Sequence, residues 1–88
     1  MRVAPNPFDA TLDIRFSLGA GTSITAHVFD TAGRLVRTLA SGEWRDAGAG
    51  TLVWDGRGND GIRARAGIYL VEFTAGGQRE WSRVALVN

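Results

Sequence analysis

Asp55, Asn59 and Asp60 crowd side-chain oxygens onto the glycine-rich run Asp55-Gly56-Arg57-Gly58-Asn59-Asp60-Gly61. Oxygen ligands on a flexible loop are the raw material of a calcium site. An EF-hand sets its ligands at alternate positions and closes with a glutamate. Here Arg57 stands at the second ligand position, and no glutamate follows at the required distance. The same residue types are turn formers whose side chains bond nearby backbone amides, and turn chemistry is the stronger reading of the loop. No metal ligand is assigned.

Other reactive chemistry is harder to assemble. A glycine-rich phosphate cradle of the P-loop kind needs a lysine, and the chain has none. All ten basic residues are arginine. Arg57, Arg63 and Arg65 form a small basic cluster beside Asp55 and Asp60, which should largely neutralise it and leave a solvated loop. His27 is the single histidine and cysteine is absent, so the usual zinc ligand sets and thiolate chemistry are excluded. A serine nucleophile would depend on His27 as its base, and no serine has a nucleophile-elbow context. Asp13 and Glu72 are carboxylates that nothing marks as a catalytic pair. No catalytic residue and no cofactor is expected. Trp44 and Trp81 are aromatic platforms on which a sugar could stack, which makes a carbohydrate-binding module of an extracellular enzyme the alternative reading.

The elements that would position these residues are short and numerous. With 88 residues, 44% of them hydrophobic, the chain can build one core. A formal net charge of +1 gives no reason to expect nucleic acid as a partner. No apolar run approaches the ~18 residues of a membrane span, so membrane insertion is not expected. Met1-Arg2-Val3-Ala4 has no hydrophobic signal core, so the chain alone carries no export signal. The expectation is a single domain over residues 1–88, excised from the C-terminus of a longer protein.

Arg2 to Ala4 suits a short edge strand, after which Pro5-Asn6-Pro7 removes ladder donors and Phe8 offers an anchor. From Thr11 strict alternation sets Leu12, Ile14, Phe16 and Leu18 against Asp13, Arg15 and Ser17, a half-buried strand. A third strand runs from about Thr22 to Phe29 with Ile24, Ala26 and Val28 inward, closed by Asp30-Thr31-Ala32-Gly33. Arg34 to Leu39 is the fourth, with Val36 and Leu39 inward. Ser41 to Gly50, with three glycines and no alternation, reads mainly as loop, with Trp44 partly covering something. Leu52 and Trp54 share a face of the fifth strand. Tyr69, Val71 and Phe73 share one on the sixth, after the connection from Asp55 to Ala66. Gly76-Gly77 then turns the chain into a last strand from Arg79 to Val87, with Val84 and Leu86 inward. About seven antiparallel strands without helical periodicity make an all-β sandwich. Its core should hold Leu12, Ile14, Phe16, Ile24, Val28, Leu52, Trp54, Tyr69, Val71 and Phe73.

The order of motifs carries a resemblance. Pro5-Asn6-Pro7-Phe8 is followed by Val28-Phe29-Asp30 with Gly33-Arg34, then Val36-Arg37-Thr38-Leu39, Gly48, Trp54-Asp55-Gly56, Gly61 and Gly67-Ile68-Tyr69. In this order they resemble the immunoglobulin-like domain of the flagellar hook-capping (FlgD) family. They are also similar to the related C-terminal sorting domains of type IX secretion substrates. The resemblance implies an immunoglobulin-like (fibronectin-III-like) β-sandwich. It further implies a non-catalytic accessory domain of a bacterial secreted or envelope protein, acting in secretion sorting, anchoring or assembly. Its partners would be the passenger domain of its parent protein or the secretion and anchoring machinery.

In an immunoglobulin-like order the third, sixth and seventh strands lie side by side. Period two then places His27, Phe29, Ile68, Leu70, Trp81, Ala85 and Val87 on the outer face of that sheet. Phe29, Ile68, Leu70, Trp81, Ala85 and Val87 form the expected protein-contact face, suited to a homodimer or to docking on a passenger domain. Glu72 and Arg83 are the residues that would interrupt it.

Overall fold

The alternation that begins at Leu12 becomes a strand with one dry side: Leu12, Ile14, Phe16 and Leu18 are buried, while Arg15 and Ser17 face solvent. A computed structural model describes residues 1–88. Its seven strands are β1 (Arg2–Ala4), β2 (Leu12–Leu18), β3 (Thr22–Asp30), β4 (Leu35–Arg45), β5 (Gly48–Trp54), β6 (Gly67–Ala75) and β7 (Gln78–Leu86). Every strand-to-strand ladder is antiparallel, and they assemble into sheets of order β1-β2-β5 and β4-β3-β6-β7. This three-plus-four sandwich is the expected immunoglobulin-like, fibronectin-III-like fold, with β3, β6 and β7 adjacent as anticipated.

All ten expected core residues are buried. Trp54 is fully enclosed, with the rings of Phe8 and Tyr69 at centroid distances of 5.3 and 5.2 Å. Its indole N–H donates to Arg57 O at 2.9 Å, which removes the cost of burying that donor. Tyr69, near the start of β6, donates its hydroxyl back to Arg65 O at 2.6 Å, the tyrosine corner of immunoglobulin-like sandwiches.

Three expectations are corrected. Ser41 to Gly50 is mostly strand rather than loop: β4 continues to Arg45 and β5 begins at Gly48. Glycines remain in these strands because one sits in a left-handed conformation (Gly42, φ +64) and another lies under an aromatic ring (Gly50 beneath Phe16). Val36 and Leu39 are only half-buried, and Ala40 takes the inward place. The register between β3 and β4 shifts three times, so period two fails along β4. The last strand ends at Leu86, not Val87.

Both outer strands of the larger sheet are partly covered by an asparagine. Asn6 Nδ2 donates to Arg83 O (3.1 Å) while its Oδ1 accepts from the Ala85 N–H (2.9 Å) at the β7 edge. Asn59 Oδ1 accepts from the Thr38 N–H (2.9 Å) at the β4 edge. These bonds explain Pro5-Asn6-Pro7-Phe8 physically: the two prolines lack a backbone donor, the Asn6 side chain bonds the β7 edge between them, and the Phe8 backbone pairs with that edge directly.

Candidate functional site

The outer face of β3, β6 and β7 is built by cross-strand register. Phe29, Leu70 and Arg83 form one row, His27, Glu72 and Trp81 a second, and Ile68 with Ala85 a third. Phe29 and Trp81 reach across β6 to bring their rings to 5.9 Å, and His27 lies 5.8 Å from Phe29. Trp81 is 52% exposed, whereas Phe29, Ile68, Leu70 and Ala85 are half-buried. Val87 lies past the end of β7, where its N–H donates to Phe8 O at 2.8 Å. It therefore stands outside the sheet register.

Glu72 does interrupt this apolar surface, but as an anchor. One carboxylate oxygen lies 3.4 Å from His27 Nδ1 and the other 3.5 Å from Arg79 Nε. Its side chain is only 14% exposed, so the charge is held low between the rings. Sequence reading missed Leu35, half exposed and directly opposite Phe29, which continues the first row onto β4. Its signal is the residue itself: an apolar side chain beside the inward-leaning Val36, obscured by the register shift after Val28.

The loop from Asp55 to Ala66 is built from its own polar groups. Asp55 Oδ1 accepts from the Arg57 N–H (3.0 Å) and Asp60 Oδ1 from the Ile62 N–H (2.9 Å), the turn chemistry its composition calls for. Asn59 departs from that pattern by reaching across to Thr38. Arg57 and Arg65 are exposed as expected, but Asp55 and Asp60 form no ion pair with the basic cluster. Arg57 Nη1 donates to Gly61 O (2.9 Å), and Arg63 donates to Asp55 O (3.2 Å) and to Asp9 O. Asp55 faces Arg37 at 3.7 Å instead. Guanidiniums serve here as multi-pronged carbonyl clamps, a use for which lysine has no geometry.

Beside this loop, Tyr69, Val36, Ile62 and Arg65 line a cleft of ≈ 450 Å³. Burial, and then the Asp30 carboxylate, hold the Tyr69 phenol above its ordinary pKa. The backbone N–H of Arg34 holds Asp30 below the usual carboxylate value. The Asp30 shift comes from the turn it closes: Asp30 Oδ1 accepts from the Ala32 and Arg34 N–H groups at 2.9 Å each. Several of the cleft's polar side chains, Asp30, Asn59, Asp60 and Tyr69, are thus already engaged in structure. Trp44 and Trp81, the two candidate stacking platforms, stand on the opposite edge strands β4 and β7. Trp44 is 64% exposed and donates its indole N–H to Asp46.

The sequence matches the FlgD Ig-like domain over residues 8–78. The basal-body rod modification proteins FlgD of Salmonella typhimurium and Salmonella typhi are each 46% identical to it over 52 residues, covering 59% of the chain and 22% of those proteins. Among solved structures, dimeric latent PorU from Porphyromonas gingivalis superposes with a TM-score of 0.79 at 19% identity, over 98% of this chain and 9% of PorU. PorZ of the same organism, a bacterial surface component of the type-IX secretion system, superposes with a TM-score of 0.67 at 25% identity, over 99% of this chain and 11% of PorZ. The chain spans less than a quarter of the length of each of these four proteins.

Proposed function

The chain belongs to the FlgD Ig-like domain family, and from that premise we propose that it is a non-catalytic accessory domain of a bacterial secreted or envelope protein. Its work is sorting, anchoring or assembly, done through protein contacts with a passenger domain of its parent or with secretion machinery. The observation that carries this reading is the aromatic outer face of β3, β6 and β7, where Phe29 and Trp81 meet across Leu70 and Glu72, with Ile68 in the next row, on a side of the sheet that the core does not use. A surface of this kind marks a contact site more often than bare solvent exposure. The small share of each matched protein that the chain covers supports a unit that works as part of something longer.

Replacing Leu70 and Trp81 with serine should abolish association measured by sedimentation, of the domain with itself or with the remainder of its parent, while the thermal unfolding transition persists. Association unchanged by the double substitution overturns the reading. Exposed Trp44 and Trp81 favour a second reading, carbohydrate binding. Retention on insoluble polysaccharide that is lost in Trp44→Ala or Trp81→Ala would select it.

A further inference from the structure

The β6–β7 hairpin closes on Gly76 and Gly77 with Ala75 opposite Gln78, and its register runs unbroken to Gly67 opposite Leu86. In a ladder closed this way Gln78, Glu80, Ser82, Val84 and Leu86 turn their backbone groups toward β6. Arg79, Trp81, Arg83 and Ala85 turn theirs outward, to the free edge of the sheet. The chain itself occupies one half of that edge. Asn6 bonds Arg83 O and the Ala85 N–H, the Phe8 N–H donates to Ala85 O (2.9 Å), and Phe8 O accepts from the Val87 N–H (2.8 Å). This pairing stops at the Arg83 carbonyl. Beyond it the Arg83 N–H and the backbone groups of Trp81 and Arg79 meet no other segment of the chain.

The other edges are blunted in recognisable ways. β4 carries three register shifts and the Asn59 cap, and β1 is 3 residues long. β5 opens with Gly48, Ala49 and Gly50, which give a partner almost no side chain to grip. The open half of β7 is regular, and it presents Arg79, Trp81 and Arg83 at alternate positions.

We propose that the edge from Arg79 to Arg83 is a strand-addition site for an extended acidic segment of another polypeptide. In such pairings main-chain hydrogen bonds give affinity and alternate side chains give specificity. Exposed Arg83 is in none of the ion pairs of the domain, and Arg79 reaches Glu72 only at 3.5 Å. Half-exposed Trp81 lies between them. The complementary strand carries carboxylates opposite the two arginines and an apolar residue opposite the tryptophan. Two-fold pairing with a second copy centred on Trp81 is disfavoured, because it sets Arg79 of one copy against Arg83 of the other, and like charges directly opposite destabilise a ladder. The inference rests on the reading of this sheet as a contact surface, but it uses backbone groups at the rim that Leu70 does not touch.

The test is amide hydrogen exchange by NMR on the isotope-labelled chain. The probe is a terminally blocked peptide of sequence Thr-Glu-Thr-Val-Thr-Glu-Thr at millimolar concentration. Exchange should slow at the Arg79, Trp81 and Arg83 amides and stay as it was at Glu80 and Ser82. The same peptide with lysine for glutamate should bind about fivefold more weakly, the scale of one cross-strand charge pair. Arg83→Glu should abolish that preference, because either peptide then meets one opposite and one like charge across the ladder. Arg79→Pro removes an outward donor at an edge position where proline is tolerated, and it should weaken the glutamate peptide while leaving the thermal transition in place. Equal binding of the two peptides overturns the proposal, as does unchanged exchange at all three amides. Concentration-dependent protection of these amides without peptide also overturns it, since that is self-pairing. Leu70→Ser reports separately on the face: if it abolishes partner association while the glutamate peptide still protects the edge, the strand-addition site stands.

Discussion

The ring of Phe16 occupies the space that a side chain at position 50 would fill. Its Cε2 lies 2.6 Å from where a Gly50 Cβ would stand, and the two residues face each other across β2 and β5. Retreat is blocked, because Phe73 stacks on Phe16 at a centroid distance of 4.8 Å and the Arg45 guanidinium carbon lies 5.8 Å from the ring centre. Gly50→Ala should therefore cost about 1–3 kcal/mol, the range for overpacking a filled core. The urea midpoint should fall with no change in slope. An alanine variant as stable as the parent would mean that the ring has somewhere to go.

Trp54 is the largest fully enclosed side chain, gripped by Phe8 and Tyr69 and hydrogen-bonded to Arg57 O. Trp54→Ala should cost about 3–5 kcal/mol, a large part of the ~5–15 kcal/mol available to a small domain. Trp54→Phe keeps apolar bulk and loses the indole donor, leaving Arg57 O without it, so its loss should be smaller. Equal losses in the two variants, measured by chemical denaturation, would mean that the ring's bulk contributes nothing beyond its hydrogen bond.

The strands that read clearly in the sequence are those whose burial is one-sided and whose register is unbroken. Leu12, Ile14 and Phe16 on β2, and Tyr69, Val71 and Phe73 on β6, alternate because every second side chain enters the core. The stretch around Gly50 hid its strand because the side chain filling that site belongs to Phe16 on another strand. Leu35, Val36 and Leu39 misled for a different reason: three register shifts against β3 break the period of two. Period two did place Phe29, Ile68, Leu70, Trp81 and Ala85 on a common face. It could not reveal that Glu72 would be held between His27 and Arg79, nor that Asn6 and Asn59 would bond the two sheet edges. Those contacts join residues far apart in sequence, and polar spacing carries no signal for them.

The loop from Asp55 to Ala66 should be indifferent to divalent cations. Asp55 Oδ1 and Asp60 Oδ1 already accept backbone N–H groups, Asn59 Oδ1 is committed to Thr38, and the Arg37 guanidinium stands 3.7 Å from Asp55. Calcium would have to displace these bonds before it could coordinate. Adding calcium or EDTA should leave the melting temperature unchanged, because only a ligand that prefers the folded state raises it. A calcium-dependent rise would show that the loop can reorganise around a metal.

Asp30 ties the β3–β4 turn together and gives the fold an acid-sensitive contact. Its Oδ1 accepts from the backbone N–H groups of Arg34 and Ala32, and its Oδ2 from Arg34 Nε, each at 2.9 Å. The Arg34 backbone bond is the main reason its pKa falls below the ordinary 3.8, with desolvation opposing it. A carboxyl group with a lower pKa in the folded state binds fewer protons there than in the unfolded chain. Its contribution is therefore complete above the ordinary carboxylate value, declines as pH falls below it, and is lost once pH passes the lower folded value. Asp30→Asn keeps one acceptor oxygen and removes the charge. The gap in urea midpoint between the parent and Asp30→Asn should be constant near neutrality and close steadily below about pH 4. A gap that stays the same throughout acid titration would show that the turn depends on the acceptor oxygen and not on its charge.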